Sequence, residues 1–180
     1  MADFFGHITD KHAEFIAAQP MFFTATACAE GRINLSPKGM DSFRVLSPNL
    51  CGYLDSTGSG NETSAHIKND GRITVMFNSF TRNALIYRIY GKGRVVRPGH
   101  VDYDTLAAHF PKRDGARQII LVDVQSTQTS CGWGVPEMQV TGERETIGKW
   151  VESKGAEGVV AYQQERNAVS IDGLDTGLND

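Results

Sequence analysis

Between Met21 and Asp55 four short runs rich in aromatic and β-branched residues, "MFFTATAC", "GRINLSP", "FRVLS" and "LCGYLD", follow each other with few residues between them. The separators, Glu30-Gly31, Lys38-Gly39 and Ser47-Pro48-Asn49, are turn residues. Connections this short cannot hold the crossover that parallel strands require, so the runs read as an antiparallel meander. "RITVMFNSF", "ALIYRIYGKGRVV" and "ARQIILVDVQSTQTS" continue the strand pattern. Helical spacing interrupts it in "TDKHAEFIAAQ", which Thr9 or Asp10 can cap and Pro20 stops, in "NETSAHIKNDG" before Gly71, and in "HVDYDTLAAHF". From "GERETIGKWVESKG" onward the chain reads as helical and then as a tail. Helices spliced into a mostly β chain favour a mainly β fold, a β-barrel with peripheral helices, over a doubly wound parallel sheet.

At 180 residues and 40% hydrophobic content the chain can bury one substantial core. One domain over 1–180 is expected, with an N-terminal helix in 1–19, a barrel with inserted helices in 20–130, and a helical extension and tail in 131–180. The net charge of -3 is spread over interspersed signs. No basic stripe is available for nucleic acid. The start, "MADFFGHITDKHAEF", lacks a signal-peptide apolar run, and no stretch approaches the length of a membrane helix. A cytoplasmic, soluble protein is the expectation. Cys28, Cys51 and Cys131 are odd in number and widely spaced, so neither a disulfide framework nor a zinc knuckle is suggested. His7, His12, His66, His100 and His109 show no ligand spacing, and no metal site is expected.

One stretch invites chemistry. In "YLDSTGSGNETSAHIKNDGRITVMF" a strand feeds a Gly-Ser-Gly turn that opens a helix. The first helical N–H groups have no intrahelical acceptor and form a ready anion seat, to which Thr57, Ser59, Asn61 and Thr63 can add donors. Neither nucleotide fingerprint is met, because the last glycine of GxGxxG and the Lys-Ser/Thr end of a P-loop are missing. Glu62 would repel a phosphate unless it faces away. Such turns are also common as tight connections where nothing binds.

"FFTATACAEGRINLSPKGMDSFRVL", the stretch just quoted, "YRIYGKGRVV", "SCGWGVPEM" and "SIDGL" together resemble the pyridoxamine 5'-phosphate oxidase-related family of FMN-binding split barrels. The likeness runs from about Phe15 to Leu174. It implies a six-stranded split β-barrel, a homodimer, and FMN sites built across the subunit interface. By the resemblance, the backbone of Asn34, Leu35, Ser36 and Pro37 would follow the flavin ring, with Lys38 nearby. Ser59, Gly60, Asn61, Glu62 and Thr63 would hold the phosphate. The true oxidases carry Ser-Arg-Lys near this place, where this chain has Gly60-Asn61-Glu62. Backbone and hydroxyl donors would then do more, helped by Lys38, Arg72 or Arg88.

The C-terminal signature of the true oxidases is also absent, so pyridoxamine phosphate is not expected as substrate. Trp133 either stacks on a flavin or plugs the barrel mouth. Arg88 faces away from Ile89, towards either the cofactor cleft or water. Cys131 is expected as a small buried thiol and His66 as a solvated or capping residue; no catalytic residue is identified. Two functions stay open: an FMN-dependent oxidoreductase of a small organic molecule, or a non-catalytic barrel for flavin or haem. Use of the deazaflavin F420 is a third.

Overall fold

The computed structural model describes residues 2–180. Eight strands form one sheet: β1 (Asp3–Phe5), β2 (Phe22–Thr26), β3 (Asn34–Lys38), β4 (Phe43–Ser47), β5 (Leu50–Ser56), β6 (Arg72–Asn78), β7 (Leu85–Val96) and β8 (Ala116–Cys131). The order is β3-β2-β6-β7-β8-β5-β4, with β1 added to β8, and every pairing is antiparallel. The implied six-stranded barrel is thus an eight-stranded sheet here. The added N-terminal strand, "DFF", is too short to announce itself by alternation.

The helices sit where the pattern places them. In α1 (Asp10–Ala17) the Thr9 hydroxyl accepts from His12 N–H, and the His12 ring accepts in return from Thr9 N–H. α2 (Glu62–Asn69) follows the glycine turn and α3 (Tyr103–Ala107) the long β7. α4 (Thr146–Arg166) is interrupted at Gly155, whose φ of 65° is left-handed. None of these described helices is long and apolar enough to cross a membrane.

The sheet curls around Phe22, Phe43, Tyr53, Phe77, Tyr87 and Ile89, all buried. Phe22 and Phe43 meet edge-on at 5.1 Å, and Phe43 meets Phe77 at 4.9 Å, the arrangement that aromatic quadrupoles favour. Ile16 of α1 plugs one side of this core, while Leu54, Val96, Phe110, Ile119 and Leu121 form a second cluster near α3.

β3 and β4 are consecutive in sequence yet lie at opposite ends of the strand order. Residues 39–42 therefore carry the chain across the open seam. Met40 and Asp41 both adopt positive φ there, 62° and 52°. Such backbone costs of order 1–3 kcal/mol per residue and persists only when neighbours hold it. Here Arg113 donates to Met40 O, Arg44 clasps the Asp41 carboxylate, and Ser42 Oγ donates to Gly39 O.

Candidate functional site

A cleft of about 700 Å³ opens along the seam between β3, the end of β5, the glycine turn and the chain after α4. Of the residues singled out from sequence, Asn34, Ser36, Pro37, Lys38, Ser59, Gly60, Asn61, Glu62 and Thr63 all line it. Along β3, Asn34, Ser36 and Lys38 are half-buried on one face and Leu35 is exposed on the other, while Pro37, although exposed, also borders the cleft.

Asn61 starts α2 but its side chain makes no cap. It turns inward instead, its Oδ1 accepting from Gln118 Nε2 at 2.8 Å and its Nδ2 donating to Asn167 O at 3.3 Å. The first helical acceptor, Asn61 O, is taken by Ala65 N–H at 3.2 Å. The N–H groups of residues 62–64 therefore open the helix without a side-chain cap. Thr63 is buried beside them; its Oγ1 accepts from Asn34 Nδ2 at 3.0 Å, and Ser36 Oγ donates to Asn34 Oδ1 at 3.0 Å. Neutral amide and hydroxyl groups, bonded to one another, thus surround the helix start.

Charge is arranged differently from the sequence-based expectation. Lys38 Nζ lies 2.8 Å from Asp55 Oδ1, and Arg117 Nη2 lies 2.7 Å from Asp55 Oδ2, so both cations serve one buried carboxylate. Gln118 Nε2 adds a third donor at 2.9 Å. Burial would raise the Asp55 pKa, but the Lys38 and Arg117 charges outweigh it and hold the carboxyl down at about 2. Burial opposes the Lys38 charge too, and Asp55 more than restores it, so the ammonium stays protonated. Glu62 is turned to the chain after α4, where both carboxylate oxygens accept from Ile171 N–H at 3.1 Å. Its charge is thereby engaged on the tail.

Arg117 supports the turn from beneath. Its Nη1 donates to Gly60 O at 3.0 Å and to Asn167 Oδ1 at 2.6 Å, while Asn167 Nδ2 donates to Gly58 O at 3.0 Å. Sequence reasoning missed Asp55, Arg117, Gln118 and Asn167. A signal was present: Arg117-Gln118 is a polar pair inside the apolar run "ARQIIL", on a strand buried on both faces. Further contacts tie the tail to α2, from Ser64 Oγ to Thr176 O at 2.7 Å and from Lys68 to Asp175 at 2.6 Å.

The remaining expectations concern groups outside the cleft, and those for His66 and Cys131 are corrected. Arg88 is half-buried on β7 and donates to Ser130 Oγ at 3.0 Å, away from the cleft. Arg72 pairs with Asp70 in solvent. Trp133, 86% exposed in the segment after β8, neither lines this cleft nor plugs the barrel. His66 is buried and its Nδ1 hydrogen-bonds Thr26 Oγ1 at 3.0 Å, because α2 lays that face on β2. Cys131 is exposed at the end of β8, and the buried thiol is Cys51. No cluster of metal-ligating side chains occurs among the described residues.

The sequence pattern of the pyridoxamine 5'-phosphate oxidase family matches residues 8–131. The chain is 37% identical to the pyridoxamine 5'-phosphate oxidase family protein ustO of Aspergillus flavus, over 97% of this chain and 77% of that one. Its fold is similar to that of HupZ from Group A Streptococcus, with a TM-score of 0.52 at 22% identity over 65% of this chain and 89% of that chain. A Lactobacillus delbrueckii protein named after the same oxidase superposes with a TM-score of 0.56 at 18% identity, covering 68% of this chain and 94% of that one. Split-seam topology, the strand-turn-helix cleft and the matched sequence agree: the chain belongs to the pyridoxamine 5'-phosphate oxidase family.

Proposed function

We propose that the protein is an FMN-binding flavoprotein, an oxidoreductase of a small organic molecule other than pyridoxamine 5'-phosphate, working as a homodimer. The observation that carries this reading is the uncapped start of α2 at the seam, ringed by Thr63, Ser59 and the Asn34–Ser36 pair, in a member of this family.

The residues present fit a phosphate held by neutral donors. The N–H groups at the start of α2 and the positive end of its dipole favour an anion, and the hydroxyls of Ser59 and Thr63 lie within the same cleft. Three basic side chains in the cleft, Lys38, Arg117 and Arg166, are matched by Asp55, Glu62 and Glu165, so no excess charge grips the phosphate. β3 offers its backbone to the planar ring. FMN, when bound, supplies the electron chemistry, and the protein binds, orients and shields it. Lys38, anchored by Asp55, keeps a fixed positive charge beside the ring position.

The homodimer rests on residues the single chain leaves apart. Arg88 and Trp133 lie off the cleft of their own chain, as expected of groups that complete a site on a second copy. The absence of a Ser-Arg-Lys triplet at Gly60-Asn61-Glu62 supports a substrate other than pyridoxamine phosphate.

Mass spectrometry of the small molecule released on denaturing the purified protein tests the reading directly. Release of FMN, and anaerobic bleaching of the bound flavin by a reductant, are the expected results. A Soret band, or a colourless protein that takes up no FMN on titration, would overturn it.

A further inference from the structure

Beyond the seam cleft lies a second concave chamber of about 1,480 Å³, between α1, the turn from β6 to β7, and residues 138–147. The two spaces meet at Pro37 and Lys38, which line both. Phe5, Phe15, Met21, Phe80, Met138 and Val140 make its walls largely apolar. Its charged residues are Asp3, Lys11, Glu14, Lys38, Glu143 and Arg144, three of each sign, so the chamber presents no net attraction for an anion.

One directional group is set into this wall. The His12 ring is packed between Phe5 and Tyr87, with centroids at 4.7 Å and 4.6 Å. Its Nδ1 faces Thr9 N–H at 3.5 Å, which places the ring proton on Nε2. Burial, then the nearby Lys11 and His7 charges, lowers the His12 pKa and keeps this neutral tautomer. Nε2 has no hydrogen-bond partner among the described residues.

We propose that this chamber binds an uncharged, ring-bearing organic molecule, its apolar body against the aromatic and methionine walls and an acceptor atom on His12 Nε2–H. Small-molecule sites are concave, mostly apolar and carry a few placed polar groups, which is the composition seen here. The shared border at Pro37–Lys38 sets such a molecule beside the ring position of the seam cleft. The inference names a substrate class for the flavoprotein reading and rests on it for that meaning, although the binding itself does not require flavin.

Nile red, an uncharged polycyclic fluorophore, serves as the probe. Titrated into the full chain without added FMN, it should bind saturably at one site per chain with blue-shifted emission. Met138 and Val140 are 59% and 63% exposed, so Met138→Glu combined with Val140→Glu leaves the core alone. That variant should weaken Nile red by about tenfold or more, while Ile33→Glu, 77% exposed and outside the chamber, should not change it. Naphthol should displace Nile red at much lower concentration than naphthyl phosphate, and should move the Nε2 nitrogen resonance of His12. Absence of saturable binding, wild-type binding by the double variant, preference for naphthyl phosphate, or an unmoved His12 resonance would overturn the proposal. Stoichiometric displacement of Nile red by FMN would do so too, since the chamber would then be the seat of the flavin ring. Failure of FMN to bind in its own titration, with Nile red still bound, would sink the flavoprotein reading and leave the chamber's ligand class standing.

Discussion

Lys38 on β3 and Asp55 on β5 are joined at 2.8 Å although their strands never pair, so a side-chain contact, not a backbone ladder, ties the two sides of the seam. Asp55 also answers Arg117, which holds the glycine turn through Gly60 O. One carboxylate thus fixes both walls of the cleft relative to each other.

Replacing Asp55 by Asn should therefore destabilise the protein by roughly 3–5 kcal/mol, the cost of leaving buried cations uncompensated. Urea unfolding at neutral pH measures it. The pH dependence has a definite sign. The folded pKa of Asp55, about 2, lies below the unfolded value near 4, so its contribution is complete above about pH 4 and is lost as pH falls towards 2. Wild type should lose stability in that window more steeply than Asp55→Asn.

Thr63→Ala should weaken FMN by roughly three- to thirtyfold, the worth of one ordinary to good hydrogen bond, and leave riboflavin binding about equal in both proteins. Paired titrations decide it. Equal loss for riboflavin, or no loss for FMN, would make "GSGNET" a tight connection only.

Asn167 is fully buried and links Arg117, Gly58 and Asn61. Asn167→Ala should cost roughly 1–3 kcal/mol in chemical denaturation, because buried polar partners are left open. It should also weaken FMN, since the turn loses its support. An unchanged FMN affinity would show that the tail only adds stability.

Sedimentation at micromolar concentration should give about twice the 19.7 kDa chain mass. A strict monomer with full FMN affinity would refute the shared-site reading.

Of the three thiols, Cys131 is exposed, Cys28 half-buried, and Cys51 enclosed with its pKa pushed up to about 12, chiefly by burial. An aromatic disulfide reagent should label Cys131 first and Cys51 only on unfolding. Rapid loss of all three under native conditions would contradict this packing.

Most strands and every helix were legible in sequence, because alternation and cap residues are local signals. Thr9 before "DKHAEF" and Gly71 after "ETSAHIKND" mark their helices without help from the rest of the fold. The glycine turn that opens α2 beside Asn61 and Thr63 was legible for the same reason. Its charge arrangement was not, since Arg117 and Asp55 lie 62 positions apart and Asn61 reaches Asn167 across 106. His66 shows the same limit: its burial depends on which face α2 turns to Thr26, a contact spanning 40 positions.

The crossing at residues 39–42 has a consequence for how such a barrel can diversify. Four residues set the spacing between β3 and β4, and Pro37 and Lys38 just before them line both concave spaces. An insertion or deletion there would move a wall of each space at once. Altered ligand choice in a chain of this plan therefore has a compact address, one turn whose positive-φ residues are clasped by Arg113 and Arg44.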